Sequence, residues 1–212
     1  MYRRKISEEA SARADATMFV TVIFVAAYSI IAMTTNPFYT GTSVGDMAPD
    51  LEGSVWDGES WSVYKLEDRI NTDWEPGLPG TWIMVEFMDT NCGHCQQAAQ
   101  DNFPPAQDYW FGSSSPAPAE INVEFLAVSI KLDNPGWKYG KPEIQEFRSQ
   151  YSHEFNYMDG QDNVFRDIWE VQGTPSYFLI APNGIVKYSS PEGGSYENVW
   201  AAMDDLIPSG GQ

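Results

Sequence analysis

The chain has 212 residues, 42% of them apolar and 14% aromatic, which is enough to fill the core of one ordinary domain and leave a short appendage. Its 12 basic and 30 acidic side chains give a net charge of -18, a surface that repels phosphate backbones and argues against nucleic-acid binding. With only two cysteines, Cys92 and Cys95, no disulfide framework is possible beyond one close pair. The acidity reads most simply as a solvated surface suited to its medium; steering of a basic partner is the sharper alternative, and composition does not choose between them.

In chain order, residues 1–15 hold Arg3, Arg4, Lys5 and Arg13 and form a basic leading segment. Residues 16–33 (ATMFVTVIFVAAYSIIAM) carry no charge, and at about 1.5 Å per residue they approach the hydrocarbon thickness of a bilayer. No Lys or Arg follows until Lys65, so the positive-inside rule predicts a single-pass anchor over 16–35 in the cell membrane. The N-terminus would be cytoplasmic and the bulk of the chain extracytoplasmic. A cleaved signal peptide competes with this, but it calls for a shorter apolar segment and a small-x-small exit, and Ile31-Ala32-Met33-Thr34-Thr35 offers neither.

Residues 36–43 read as a tether, 44–207 as the folded domain and 208–212 as a flexible tail. Thr81–Met88 (TWIMVEFM) is a compact apolar run suited to a buried strand, and Cys92-Gly93-His94-Cys95 follows it directly. A helix is predicted over 93–103, broken or kinked at Pro104-Pro105. Ile121–Ile130 is a second core strand, Lys141–Phe155 has helical apolar spacing, and a shorter helix covers Asn163–Glu170. Ser176–Ala181 and Ile185–Tyr188 flank Pro182-Asn183-Gly184, a hairpin signal, and Ser195–Ile207 closes the domain as an amphipathic helix. Alternating strands and helices predict an α/β domain. Trp56, Trp61, Trp74 and Trp82 are assigned to core or edge packing.

Cysteines at i and i+3 on a first helical turn can interconvert between dithiol and disulfide with little backbone change. Orphan N–H groups and the helix dipole favour a thiolate at Cys92, and a protonated His94 would add a cation beside it. Cys95, one turn further in, would resolve a mixed disulfide. Glu86 interrupts the apolar strand: strand alternation allows it to face solvent, whereas burial beneath the cysteines would raise its pKa and let it accept the Cys95 proton. Thr174-Pro175 is a trans proline by default or a cis one that presents the Thr174 backbone to a substrate cysteine.

Met84–Cys95 (MVEFMDTNCGHC) resembles the active-site region of thioredoxin-fold proteins, and its VEF and CGHC are those of protein disulfide isomerase. Val171–Leu179 (VQGTPSYFL) looks like the cis-proline segment of that superfamily. The opening VGDMAPDL at Val44–Leu51 is similar to TlpA-like and peroxiredoxin-like redoxin domains, as is the long element between Ile130 and Val171. The resemblance implies a thioredoxin-like fold with a central mixed sheet flanked by helices and a TlpA-like insertion, preceded by one transmembrane helix. It also implies a membrane-tethered thiol–disulfide oxidoreductase with Cys92 as nucleophile, Cys95 as resolving thiol, Glu86 as proton acceptor and Pro175 as the docking cis proline beside Thr174. The implied partners are cysteine-containing proteins outside the cytoplasm and a membrane protein that recycles the pair, in cytochrome or oxidase maturation or in disulfide formation, with no further cofactor. Two positions depart from the pattern: Asn91 stands where Trp is common, and Gln100 where a helix proline is usual.

A copper-delivery protein of the SCO type is the principal rival. It would bind Cu(I) through Cys92, Cys95 and His153, although such proteins usually space their cysteines by three residues rather than two. A structural zinc site lacks a second cysteine pair, and Asp89-Thr90-Asn91-Cys92 does not provide a peroxidatic setting.

Overall fold

The computed structural model describes residues 17–29, 39–111, 115–190 and 195–209. It divides into two units, Met1–Phe38 and Tyr39–Gln212. The first contains helix α1 (17–29), whose Met18, Phe19, Val22 and Phe24 side chains are exposed. Among the described residues no helix is long and apolar enough to cross a membrane. The rest of the 16–35 anchor, the 1–15 segment and the end of the 208–212 tail lie outside the described residues.

The second unit is built on one seven-stranded sheet. Its strands are β1 (Glu52–Trp56), β2 (Trp61–Lys65), β3 (Gly80–Met88), β4 (Ile121–Ser129), β5 (Asn156–Asp159), β6 (Ser176–Ile180) and β7 (Val186–Ser189), in the order β2-β1-β5-β4-β3-β6-β7. Among the described residues five α-helices accompany them, α2 (Gly93–Asp101), α3 (Phe103–Phe111), α4 (Lys141–Gln150), α5 (Val164–Ile168) and α6 (Tyr196–Leu206), with a 3-10 turn at Leu66–Arg69.

The TWIMVEFM run becomes the central strand β3, parallel to β4 and antiparallel to β6. Its period of two divides the core. Trp82, Met84 and Met88 join residues of α2, α3, α4 and α6 on one face. Ile83, Val85 and Phe87 join Leu51, Trp169 and Phe178 on the other. Fully burying a side chain of this size contributes about 1.5–3 kcal/mol, so covering both faces of β3 fixes it firmly at the centre. The same parity puts Glu86 on the helix-covered face.

Three elements differ from the sequence expectation. The helix does end before Pro104-Pro105, but it resumes at once as α3, because both prolines sit in the first turn, where no N–H is required. The helix expected over Lys141–Phe155 stops at Gln150; Ser152 takes a left-handed backbone (φ 56), and the chain turns into β5. The hairpin β1–β2 is additional. Asp57 Oδ1 accepts the Glu59 and Ser60 N–H groups at 2.8 Å each, and Trp56 meets Trp61 across the strands at 5.6 Å.

At the front of the domain, residues expected to be tether already pack with it. Met47 N donates to Tyr39 O and Gly41 N to Met47 O, and Thr42 is buried. Gly184 makes the β6–β7 turn with φ 84, a conformation that glycine adopts without steric cost.

Candidate active site

The two sulfurs lie where β3 hands over to α2. Asp89 O accepts Cys92 N–H at 2.9 Å, closing a turn, and Cys92 then occupies the N-cap of α2 with φ -75 and ψ 122. The first helical bond, Gln96 N to Cys92 O, is 3.0 Å. Both cysteines are in the dithiol form.

Their environments drive the thiols apart. Cys92 is held down at about 5 from an ordinary 9.0, first by a hydrogen bond from Cys95 and then by contact with the Thr174 hydroxyl and the Cys95 and His94 backbone N–H groups, all against the opposing effect of burial. Its sulfur also lies 3.4 Å from Thr174 O. Cys95, only 1% exposed, is pushed well above its ordinary value by burial, by its bond to Cys92 and by the Glu86 charge. One thiol is therefore ionised near neutrality while its neighbour keeps its proton.

Glu86 is buried, 3% exposed, in the layer beneath the pair. Burial raises it from 4.5 to about 8; the Cys92 charge adds to the rise, and a long hydrogen bond from Tyr177 Oη to Oε1, 3.5 Å, opposes it. Tyr177 is its in-register partner on β6.

The Thr174-Pro175 bond is cis. Thr174 and Pro175 line a cleft of about 420 Å³ together with His94, Asp101, Tyr196 and Glu197. The His94 side chain is exposed in this cleft, so its contact with the Cys92 sulfur runs through its backbone N–H rather than its ring.

Asp89 is a functional neighbour that the sequence did not reveal. It has no exposed surface and accepts four hydrogen bonds: from Asn91 N at 2.8 Å, Asn91 Nδ2 at 3.2 Å, Leu132 N at 2.9 Å and Tyr139 Oη at 3.0 Å. Asn91 Nδ2 also donates to Lys138 O at 3.0 Å. The position that departs from the family pattern is thus a clasp between the cysteine turn and the 131–140 segment. An Asp three positions before the first cysteine carries no signal that would have identified it.

Cys92, Cys95, Glu86, Thr174, Pro175 and His94 converge on one end of β3. His153 does not join them as a ligand. It is 2% exposed and both ring nitrogens are engaged, Nδ1 with Tyr157 Oη and Nε2 with Ala99 O. Among the described residues no three His, Cys, Asp or Glu side chains are grouped to hold a metal ion. The Cys92–Cys95–His153 copper set is therefore not assembled, because the imidazole is committed to the core.

With this geometry in hand, solved structures supply the comparison. The thioredoxin domain of a thiol-disulfide oxidoreductase from Bacteroides vulgatus superposes with a TM-score of 0.56 at 14% identity, covering 78% of this chain and 99% of that one. The fold is that of thioredoxin. A secreted Mycobacterium tuberculosis disulfide oxidoreductase superposes on this thioredoxin-like domain at 0.50 and 14% identity, over 74% of this chain and 96% of its own. A reduced 2-Cys peroxiredoxin from Plasmodium vivax gives 0.56 at 16% identity, over 77% and 95%. No protein-family model and no curated protein sequence matches the chain. Because the likeness spans both oxidoreductases and a peroxiredoxin, the thioredoxin fold leaves the chemistry to be argued from the site.

Proposed function

We propose that this protein is a thiol–disulfide oxidoreductase that exchanges disulfides with protein substrates through Cys92 and Cys95. The observation that carries the reading is the asymmetry of the pair: Cys92 at about 5 beside a Cys95 pushed well above 9.0. Exchange needs one sulfur that attacks and leaves readily and another that waits for a proton acceptor.

Cys92 thiolate attacks a substrate disulfide, forming a mixed disulfide and releasing one substrate thiolate. Cys95 gives its proton to the Glu86 carboxylate and attacks the Cys92 sulfur. The mixed bond breaks, the second substrate thiolate departs, and the Cys92–Cys95 disulfide remains. The reverse sequence oxidises a substrate dithiol. Beside the sulfur, the Thr174 carbonyl and cis Pro175 supply an edge on which an extended substrate segment can lie. His94 borders the cleft as a specificity contact.

The apolar, uncharged 16–33 run and the exposed apolar side chains of α1 support a membrane tether, with the domain outside the cytoplasm. A membrane protein that renews the pair, and a role in cytochrome or oxidase maturation or in disulfide formation, belong to the same reading.

The test is trapping. Cys95→Ser should accumulate a partner protein on Cys92 as a mixed disulfide that dithiothreitol releases, and Cys92→Ser should trap nothing. Equal recovery from both variants would refute the assignment.

A further inference from the structure

A helix commonly begins on Ser, Thr, Asp or Asn, whose side chain accepts an N–H two or three residues on and fixes the angle at which the chain enters the helix. Helix α2 begins instead on Cys92, and as a thiol that side chain makes no capping bond. His94 and Cys95 follow two and three residues on, and theirs are the N–H groups that favour the ionised Cys92 sulfur. The nucleophile thus occupies the place of the cap, and the entry to α2 has to be held from elsewhere.

Asp89 holds it from three residues upstream. Its Oδ1 accepts the Asn91 N–H at 2.8 Å, an Asx turn, and its main-chain O accepts the Cys92 N–H at 2.9 Å, so two rings close over one stretch of four residues. The other carboxylate oxygen is moored to a distant part of the chain, accepting Leu132 N–H at 2.9 Å and Tyr139 Oη at 3.0 Å. Asn91 Nδ2 adds a bridge, donating to Asp89 Oδ1 at 3.2 Å and to Lys138 O at 3.0 Å. From within α2, Gln96 Nε2 donates to Thr90 O at 3.0 Å. Every residue from Asp89 to Cys92 is therefore hydrogen-bonded. The Asp89 carboxylate, which has no exposed surface, sits where the turn meets the 131–140 segment. A carboxylate suits that position because both its oxygens accept; an amide would set an NH2 group against the Leu132 N–H.

We infer that Asp89, assisted by Asn91, is a positioning residue that stands in for the missing cap: it holds the turn from which α2 aims its first N–H groups at the Cys92 sulfur. The inference rests on the exchange reading above and concerns how the nucleophile is held rather than what it attacks. Asp89 acts through the main chain of the turn, by its direct bond to the Cys92 N–H. The other groups that bear on the sulfur, Cys95 and His94 of α2, Thr174 ahead of β6 and Glu86 of β3, stay the same in every variant below.

Alkylation reads the aim of those N–H groups directly. Reduced full-length protein is treated with iodoacetamide, and the rate at Cys92 is followed against pH, with the melting temperature measured in parallel. The thiolate displaces iodide, a sulfur–carbon bond replaces the carbon–iodine bond, and the rate tracks the ionised fraction.

Wild type should show its inflection near pH 5. Asp89→Ala removes the Asx turn and the mooring together, and should raise the inflection by about one pH unit, the size of one hydrogen bond lost to the thiolate. Asp89→Asn keeps an oxygen for the Asn91 N–H and loses the Leu132 bond, so it should melt earlier yet keep the wild-type inflection. Asn91→Ala drops the bridge to Lys138 O and should raise the inflection by a smaller step. A purely structural role would lower the melting temperature of both position-89 variants and move neither inflection, and that result overturns the proposal. Equal shifts in Asp89→Asn and Asp89→Ala overturn it too, since the turn would then not be what matters. If Asp89→Ala fails to fold, Asn91→Ala decides, and an unmoved inflection there counts as refutation. A wild-type inflection near the ordinary 9.0 would remove the asymmetry on which the exchange reading stands, whereas unmoved variants beside a wild-type value near 5 remove this inference alone.

Discussion

Replacing Glu86 with Gln tests the proton site through stability rather than turnover. The carboxyl is raised from 4.5 in the free state to about 8 in the fold. Below pH 4.5 folded and unfolded chains both hold the proton, and stability does not depend on this group. Between 4.5 and 8 the unfolded chain loses its proton while the folded chain keeps it, so stability falls as pH rises; above 8 the fall stops. At 1.36 kcal/mol per unit, the full window is worth about 5 kcal/mol, of which about 3 is lost by pH 7. Gln keeps an acceptor for Tyr177 and has nothing to ionise. Urea unfolding of both proteins under reducing conditions should therefore show the Gln variant gaining on wild type by about 3 kcal/mol between pH 4.5 and 7. Cys92, depressed from 9.0 to about 5, has the opposite slope: its contribution is present above 9.0 and lost as pH falls through 5. Both proteins retain Cys92, so the difference between them removes most of that term. A difference that stays flat from pH 4.5 to 8 would show that Glu86 is not a buried titrating acid, and its assignment as proton acceptor would be refuted.

The thiolate absorbance near 240 nm should rise with a midpoint of about pH 5 in the wild type, at a higher pH in Cys95→Ala, which lacks the Cys95 hydrogen bond that lowers Cys92 most, and should not rise below pH 9 in Cys92→Ala. Asp89→Ala should cost about 3 kcal/mol of unfolding free energy, because it strands the half-buried Leu132 and Asn91 N–H groups and empties a fully buried site; hydrogen exchange should localise the loosening to 131–140. A loss below about 1 kcal/mol would mean that the clasp holds nothing together.

The site was most legible where chemistry coincides with chain continuity. Cys92 and Cys95 follow a strand made almost wholly of apolar residues, and that adjacency alone predicts sulfurs at a helix start. Glu86 was readable as a candidate because a carboxylate within such a strand is costly to bury, but the choice of face came from Trp82, Met84 and Met88 sharing its parity. The cis state of Pro175 came only with the resemblance, since local sequence favours trans. Asp89 and His153 were opaque for a common reason: their partners Leu132 and Ala99 are 43 and 54 residues away, across turns that no local pattern encodes. The left-handed Ser152 is what converts a predicted helical stretch into the turn and strand that deliver His153 and Tyr157. The hairpin β1–β2 escaped notice because its Trp56 and Trp61 read equally well as core residues.

Ala127 carries no polar atom and would escape any survey of catalytic side chains, yet it is the in-register neighbour of Glu86 on β4 and belongs to the same buried cluster as the cysteines. Valine or leucine there would add apolar volume beside the acid, while every hydrogen-bonding residue stayed in its place. In this protein the basicity of a proton acceptor is thus open to adjustment by volume alone, from a strand that lies beside the chemistry and takes no part in it.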